Sequence, residues 1–249
     1  MFLLLVPTSH SLENQYFGRF FYALQILMPV SFLYSKLSRS FCKERMGGDT
    51  LISVINSIEP SEKLFGMTLG QWTVKWWHWF LSSSKDINPA LDDDGCRANV
   101  NQGGPVWFLA GTLGEDRYPH RRCTIPRNKY VLFPVINYEI NVFEKSGLYS
   151  DQDLISDVVQ DMNDIVHLEA LVDKQSVPIN RIQSDPRTFF VKLPRNNCYG
   201  VKDGKVKCAA DGYWVFLEPL NPGKHTIYFH GACSGGFRNS TAEYSLTVV

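Results

Sequence analysis

The stretch Tyr130-Val-Leu-Phe-Pro-Val-Ile136, continued by Asn137-Tyr-Glu-Ile-Asn141, decides the fold class. A short apolar run bounded by turn-forming and polar residues is the pattern of a strand covered on both faces. Side chains of one parity share a face of a strand, so Val131, Phe133 and Val135 lie in one series with Asn137, Glu139 and Asn141. If pairing is continuous, that face leaves the core at Asn137 and turns polar, whereas a bulge at Pro134 would disturb the parity. A polar edge of this kind can carry a carboxylate for general acid/base or metal chemistry, which makes Asn137 and Glu139 candidate site residues. The competing reading is a strand that simply emerges into solvent.

Working outward, similar short runs occupy Val106–Ala110, Cys123–Pro126, His167–Asp173, Thr188–Leu193, Tyr213–Glu218, His225–Gly231 and Glu243–Val249, with Asn221-Pro-Gly223 as a hairpin signal. Two helices interrupt them. Thr68-Leu-Gly-Gln71 is a capping box that opens a helix over 69–81, with Leu69, Trp72, Trp76, Trp79 and Phe80 on one face. Trp77 lies about a quarter-turn off that face and is the indole expected to meet a ligand. Ser150 caps a second helix over 151–166, with acidic residues in its first turn and a stripe running from Leu154 to Val166. Eight strands and two helices without βαβ alternation point to a mostly β chain, an antiparallel β-sandwich of immunoglobulin-like or jelly-roll-like type with two inserted amphipathic helices.

The chain has 249 residues, with 25 basic against 25 acidic side chains, 13% aromatic and 20% charged. That balance excludes a disordered, collagen-like or polybasic nucleic-acid-binding protein. One domain over 67–249 is expected, preceded by a lead-in over 46–66. Residues 1–45 form an apolar segment with three competing readings: an anchor, a degenerate export signal, or a start assigned upstream of Met46. Membrane contact is expected only through that segment.

Six cysteines, none in a CxxC pair, argue against a zinc ribbon or a thioredoxin-type motif. Cys198 and Cys208 flank the polar Asp203-Gly204 turn and are expected to bridge, with Cys96–Cys123 as a second pair; the alternative is six reduced, buried thiols. Bridging would place the chain outside the cytoplasm, where the sequon Asn239-Ser-Thr241 could be glycosylated.

Other candidates are weaker. Asp92-Asp93-Asp94-Gly95 resembles part of a calcium loop, with Asp92 and Asp94 as cation ligands, but it fits no EF-hand, and a solvated turn is the favoured reading. Arg117, His120, Arg121, Arg122, Arg127 and Lys129 make a basic patch around Tyr118, suited to an anion or a glycan carboxylate, or else a charge-balanced exposed loop. Trp107 joins the aromatic candidates. No HExxH, GxSxG, P-loop or GxGxxG is present, and no cofactor is expected.

The ordered set Trp72-Thr-Val-Lys-Trp-Trp-His-Trp79, Gly104-Pro-Val-Trp-Phe-Leu-Ala-Gly111, Phe133-Pro-Val-Ile-Asn137, Asp211-Gly-Tyr-Trp214 and Pro222-Gly-Lys-His-Thr-Ile227 resembles a family of bacterial and archaeal proteins of uncharacterised activity, often exported. The resemblance spans about residues 60–249, implies a shared fold, and implies a Cys96–Cys123 bridge; it brings no assigned activity. The sequence therefore leads to an extracytoplasmic binding or surface-interaction module, with carbohydrate among its expected ligands, through Trp77, Trp107, Tyr118, Asn137 and Glu139. Two other classes compete: a hydrolase pairing Glu139 with Asp94 or Glu144, with or without a metal, and a structural cell-envelope protein.

Overall fold

The computed structural model describes residues 55–114, 117–143, 149–234 and 239–249. Expectations about residues 1–54, including the apolar segment and Cys42, and about Glu144 lie outside the described residues.

The Thr68 box forms as expected. The Thr68 hydroxyl accepts from the Gln71 amide at 3.2 Å and the Gln71 side chain accepts from the Thr68 amide at 3.0 Å, opening α1 (Leu69–Leu81) directly after the short pair β1 (Lys63–Leu64) and β2 (Met67–Thr68). Trp72, Trp76, Trp77, Trp79, Phe80 and Leu81 of α1 are all buried. At about 25 cal/mol per Å² and 150–250 Å² per ring, each buried aromatic contributes about 4–6 kcal/mol gross, so the docked face far outweighs the intrinsic propensity of a 13-residue helix.

That face packs on a five-stranded sheet built from β3 (Val106–Phe108), β5 (Tyr130–Asn141), β8 (Asn180–Arg181), β9 (Thr188–Leu193) and β10 (Gly204–Leu217). A second five-stranded sheet runs in the order β4 (His120–Ile125), β12 (Asn239–Val248), β11 (Gly223–Cys233), β6 (Ile165–Val172), β7 (Gln175–Ser176). Val131, Phe133 and Val215 of the first sheet share one core with Ile227, Phe229, Tyr244 and Leu246 of the second. The chain is mostly β.

Several details depart from the sequence expectations. Two pairings, β3 with β5 and β4 with β12, are parallel, so the sheets are not wholly antiparallel. Asn221-Pro222-Gly223 does not close a hairpin: β10 and β11 belong to different sheets, and the turn carries the chain from one to the other. The helix α2 (Asp151–Asp161) is capped by Ser150 but stops well before residue 166. Ile165 and Val166 begin β6, with Val166 exposed, because Asn163 and Asp164 turn the chain and the edge of β11 supplies a partner. Finally, no disulfide joins Cys198 to Cys208. The arms of that hairpin are β9 and β10, meeting at Leu193 and Gly204, so Cys198 sits in the connecting loop while Cys208 lies on the arm opposite Phe189.

Cys96 and Cys123 are not bridged either. The backbones are close, since Arg122 N donates to Asp94 O at 2.8 Å. The thiols face different surroundings. Cys96 is exposed and bonds the Asp94 carboxylate, whereas Cys123 packs against the core shared by the two sheets, where burial pushes its pKa up to about 12.

Candidate functional site

Strand β5 changes face in mid-course. Tyr213 pairs with Ile136 but Trp214 pairs with Pro134, leaving Val135 as the extra residue of a bulge. Upstream of it, Val131 and Phe133 face the core between the sheets, and Leu132 faces α1. Downstream, Glu139 pairs with Ala210, and Ala210 packs in the α1 core, so the odd-numbered residues now face the helix. The bulge that Pro134 permits re-aims Asn137 and Glu139 from one side of the sheet to the other. Glu139 is 3% exposed. The solvent-emerging reading of this strand is therefore overturned.

These residues border a cavity of about 250 Å³, roughly eight waters' worth of liquid volume. Trp76, Trp77 and Phe80 of α1 form its aromatic side, with Trp76 and Phe80 stacked at 5.0 Å and Trp77 set edge-on to Trp76 at 4.9 Å. The loop Gly111–Gly114 and Ser240 close another side. This wall depends on a close approach, for a Cβ on Gly111 would lie 2.2 Å from Ser240 Oγ. Tyr199 arrives from the loop between β9 and β10. Asn197, buried, holds that loop by donating to Pro194 O and Val201 O and accepting from the Val201 amide. The Tyr199 hydroxyl then donates to Glu139 Oε2 at 3.0 Å.

The polar inventory is uneven. Trp76 Nε1 is spent on Leu109 O at 2.9 Å. Trp77 and Asn137 also border the cavity, and their Nε1 and Nδ2, inaccessible to bulk water, have no acceptor among the described residues; Trp107 Nε1 and Trp214 Nε1, away from the cavity, have none either. A buried donor left without a partner costs about 1–3 kcal/mol, so such groups are rarely left idle. The arrangement thus offers two N–H donors, a carboxylate paired with a phenol, and an aromatic wall: the equipment for holding a small polar molecule with an apolar face.

Arg121 supports this site from behind. It was expected in an exposed basic patch, but β4 turns it inward, where it is 1% exposed. Its guanidinium donates to the carbonyls of Ala90, Asp92, Ala110 and Gly111 and to the Tyr244 hydroxyl, and so ties two loops to the second sheet. Ala90 and Gly111 border the cavity.

Three of the predicted ligand residues, Trp77, Asn137 and Glu139, thus meet in one cavity, and Asn239 of the sequon stands at its edge. Trp107 and Tyr118 do not join them. Trp107 is 6% exposed inside the core between the sheets, because the parallel pairing of β3 with β5 places it beside Val131. Tyr118 is exposed elsewhere, its hydroxyl donating to Glu243 at 2.7 Å, with burial and that contact raising its pKa to about 12. Asp94 does not border the cavity. The three carboxylates Asp92, Asp93 and Asp94 do not gather around one point: Asp92 accepts from the Arg97 amide and lies within hydrogen-bond reach of Asp94, Asp93 pairs with Arg117, and Asp94 accepts from the Cys96 amide. No group of three side chains placed to hold a metal occurs among the described residues.

Tyr199, Ser240, Trp76 and Phe80 were not singled out in the sequence as site residues. Tyr199 and Ser240 come from segments remote from β5, and their residue types carry no signal of their own.

No protein-family model matches the chain, and no curated protein matches it. Among solved structures, it is similar to "Structure of PbICP-C in complex with falcipain-2" at 11% identity and a TM-score of 0.24, covering 59% of this chain and all of that one. A second, "Solution Structure of Amebosin", gives 10% identity and a TM-score of 0.20 over 58% of this chain and all of that one. Likeness at this level carries no argument about fold or function.

Proposed function

We propose that the chain is a β-sandwich binding module whose ligand is a small polar molecule with one apolar face, a sugar residue of a glycan being the leading class. The observation that carries this reading is that Trp77 and Asn137, whose buried Nε1 and Nδ2 donors have no acceptor among the described residues, border the same 250 Å³ cavity. A sugar ring brings hydroxyl acceptors for both and a C–H face for an aromatic wall. Satisfying two donors would recover about 2–6 kcal/mol of the cost of leaving them unpaired. Placement outside the cytoplasm is part of this proposal. Neither expected disulfide is formed, and the sequon at Asn239 has meaning only where the chain is exported.

The test is calorimetric titration with a panel of neutral mono- and disaccharides. At least one should bind, and Trp77→Phe and Asn137→Ser should each weaken it about tenfold while the melting temperature stays within a few degrees. Equal binding by both variants would end the proposal.

Burial of Glu139 beside Tyr199 favours a second reading, a hydrolase in which Glu139 is the acid or base. Asp94, one of its two expected partners, is engaged elsewhere. Turnover of aryl glycosides that disappears in Glu139→Gln would support it, and binding without turnover would remove it.

A further inference from the structure

We propose that the outer face of the second sheet carries a separate binding site for an anionic ester, a sulfate or phosphate group on a sugar-sized body. The site is a groove of about 700 Å³ that shares no bordering residue with the cavity beside α1.

The register of three adjacent strands builds it. In β4, β12 and β11, Arg122 stands opposite Ser245 and Ser245 opposite Thr226. Two residues along, Thr124 stands opposite Thr247 and Thr247 opposite Lys224. Residues directly opposite share a face, and all six are exposed. They form a grid of two rows and three columns with cations at diagonal corners and hydroxyls between. With strands about 4.8 Å apart and about 6.7 Å for two residues along a strand, the Arg122 and Lys224 Cα atoms lie about 12 Å apart. Both side chains are long enough to lean inward over that span toward one body.

None of the six side chains has a hydrogen-bond or ion-pair partner among the described residues. The neighbouring carboxylates are occupied. Asp173 gives one oxygen to His225 Nδ1 at 2.7 Å and the other to the Thr226 amide at 2.8 Å. Asp94 serves the Cys96 amide, and Glu243, in the next row, serves the Tyr118 hydroxyl. Two positive charges therefore stand over a hydroxyl-lined floor with no carboxylate paired to either, while Asp173, which also borders the groove, is turned to His225 and the Thr226 amide. The guanidinium fork and the ammonium suit an oxyanion, and the hydroxyls suit a polyol. Of the basic patch read in the sequence, the structure buries Arg121, pairs Arg117 with Asp93, directs Lys129 to Gly104 O, and leaves Arg122 facing this groove beside Lys224.

The experiment titrates the full chain with glucose 6-sulfate, glucose 6-phosphate, glucose and inorganic sulfate, following amide shifts at Thr124, Thr226, Ser245 and Thr247 together with calorimetry. At least one ester should bind with shifts centred on those amides, and the tighter of the two identifies the anion. Affinity should fall about tenfold in Arg122→Gln or Lys224→Gln, about a hundredfold in the double variant, and steeply with added salt. All these variants are at exposed positions and should melt as the wild type does. The proposal is overturned if neither ester binds at 10 mM (roughly the weakest affinity worth assigning to a site), if the double variant binds as tightly as the wild type, if glucose or inorganic sulfate alone binds as tightly as the esters, or if the shifts fall at Asn137 and Tyr199 instead.

Discussion

Replacing Arg121 by Met tests whether one buried cation holds the loops behind the cavity. The guanidinium is 1% exposed, has no carboxylate partner among the described residues, and makes five hydrogen bonds, four to carbonyls and one to the Tyr244 hydroxyl. Met fills similar volume without donating. The Ala110 carbonyl keeps the Tyr244 hydroxyl at 2.8 Å and the Ala90 carbonyl keeps Arg117 Nη2 at 3.2 Å, but Asp92 O and Gly111 O lose their donor. At about 1–3 kcal/mol for each of these two buried acceptors left unpaired, the simple sum is about 2–6 kcal/mol. Water entry and the relief of a desolvated charge bring the expected loss to about 3 kcal/mol. That is a large share of the 5–15 kcal/mol typical of a domain and corresponds to a fall in Tm of about 6–12 °C. Lys keeps the charge but reaches fewer acceptors, so Arg121→Lys should cost about 2 kcal/mol. Urea unfolding followed by tryptophan fluorescence reads both variants, with the m-value checking that the transition stays two-state. If Arg121→Met stays within about 1 kcal/mol of the wild type, or if Lys costs as much as Met, the carbonyl clamp is not what holds these loops.

Other outcomes are equally specific. A methyl group at residue 231 would lie 2.6 Å from Ile136 Cβ and 2.9 Å from Val135 O, so Gly231→Ala should push β11 away from the β5 bulge and cost about 1–3 kcal/mol in a thermal melt. Unchanged stability would mean that the two strands part freely. The Asp94 carboxyl, held down to about 2 by the Cys96 amide, contributes stability that is complete above its usual 3.8 and is lost as pH falls toward 2. A carbon-13 titration of Asp94 with a midpoint near 3.8 would contradict the turn geometry. Alkylation of unfolded, unreduced protein should label Cys96, Cys123, Cys198 and Cys208, and alkylation of the native protein should label exposed Cys96 before Cys123. A mass deficit of two hydrogens across either pair would refute the unbridged arrangement.

Local signals in the sequence were sufficient wherever one element carries its own instructions. The Thr68 capping box and the tryptophan spacing define α1, and the Thr188–Leu193 strand matches its expected bounds. Where the outcome depended on a partner strand, the sequence was ambiguous. Ile165 and Val166 fit a helical stripe as well as a strand, and only the edge of β11 decided between them. The hairpin signal at Asn221-Pro-Gly223 describes a turn correctly but cannot say whether the next strand rejoins the same sheet. Arg121 and Arg122 are adjacent and chemically identical, yet strand parity sends one into the core and the other onto the surface.

The candidate cavity shows the same division. Sequence alone determined a mostly β chain with a capped aromatic helix, and it named Trp77, Asn137 and Glu139, because helical period, strand alternation and residue chemistry are local properties. Tertiary structure decided that these three belong together. A single unpaired residue at Val135 reverses which face of β5 meets α1, and Tyr199 and Ser240 complete the cavity from segments far along the chain. A bulge is defined by what the neighbouring strand pairs with, and a cavity by which distant surfaces border it, so neither is written in the residues that form it.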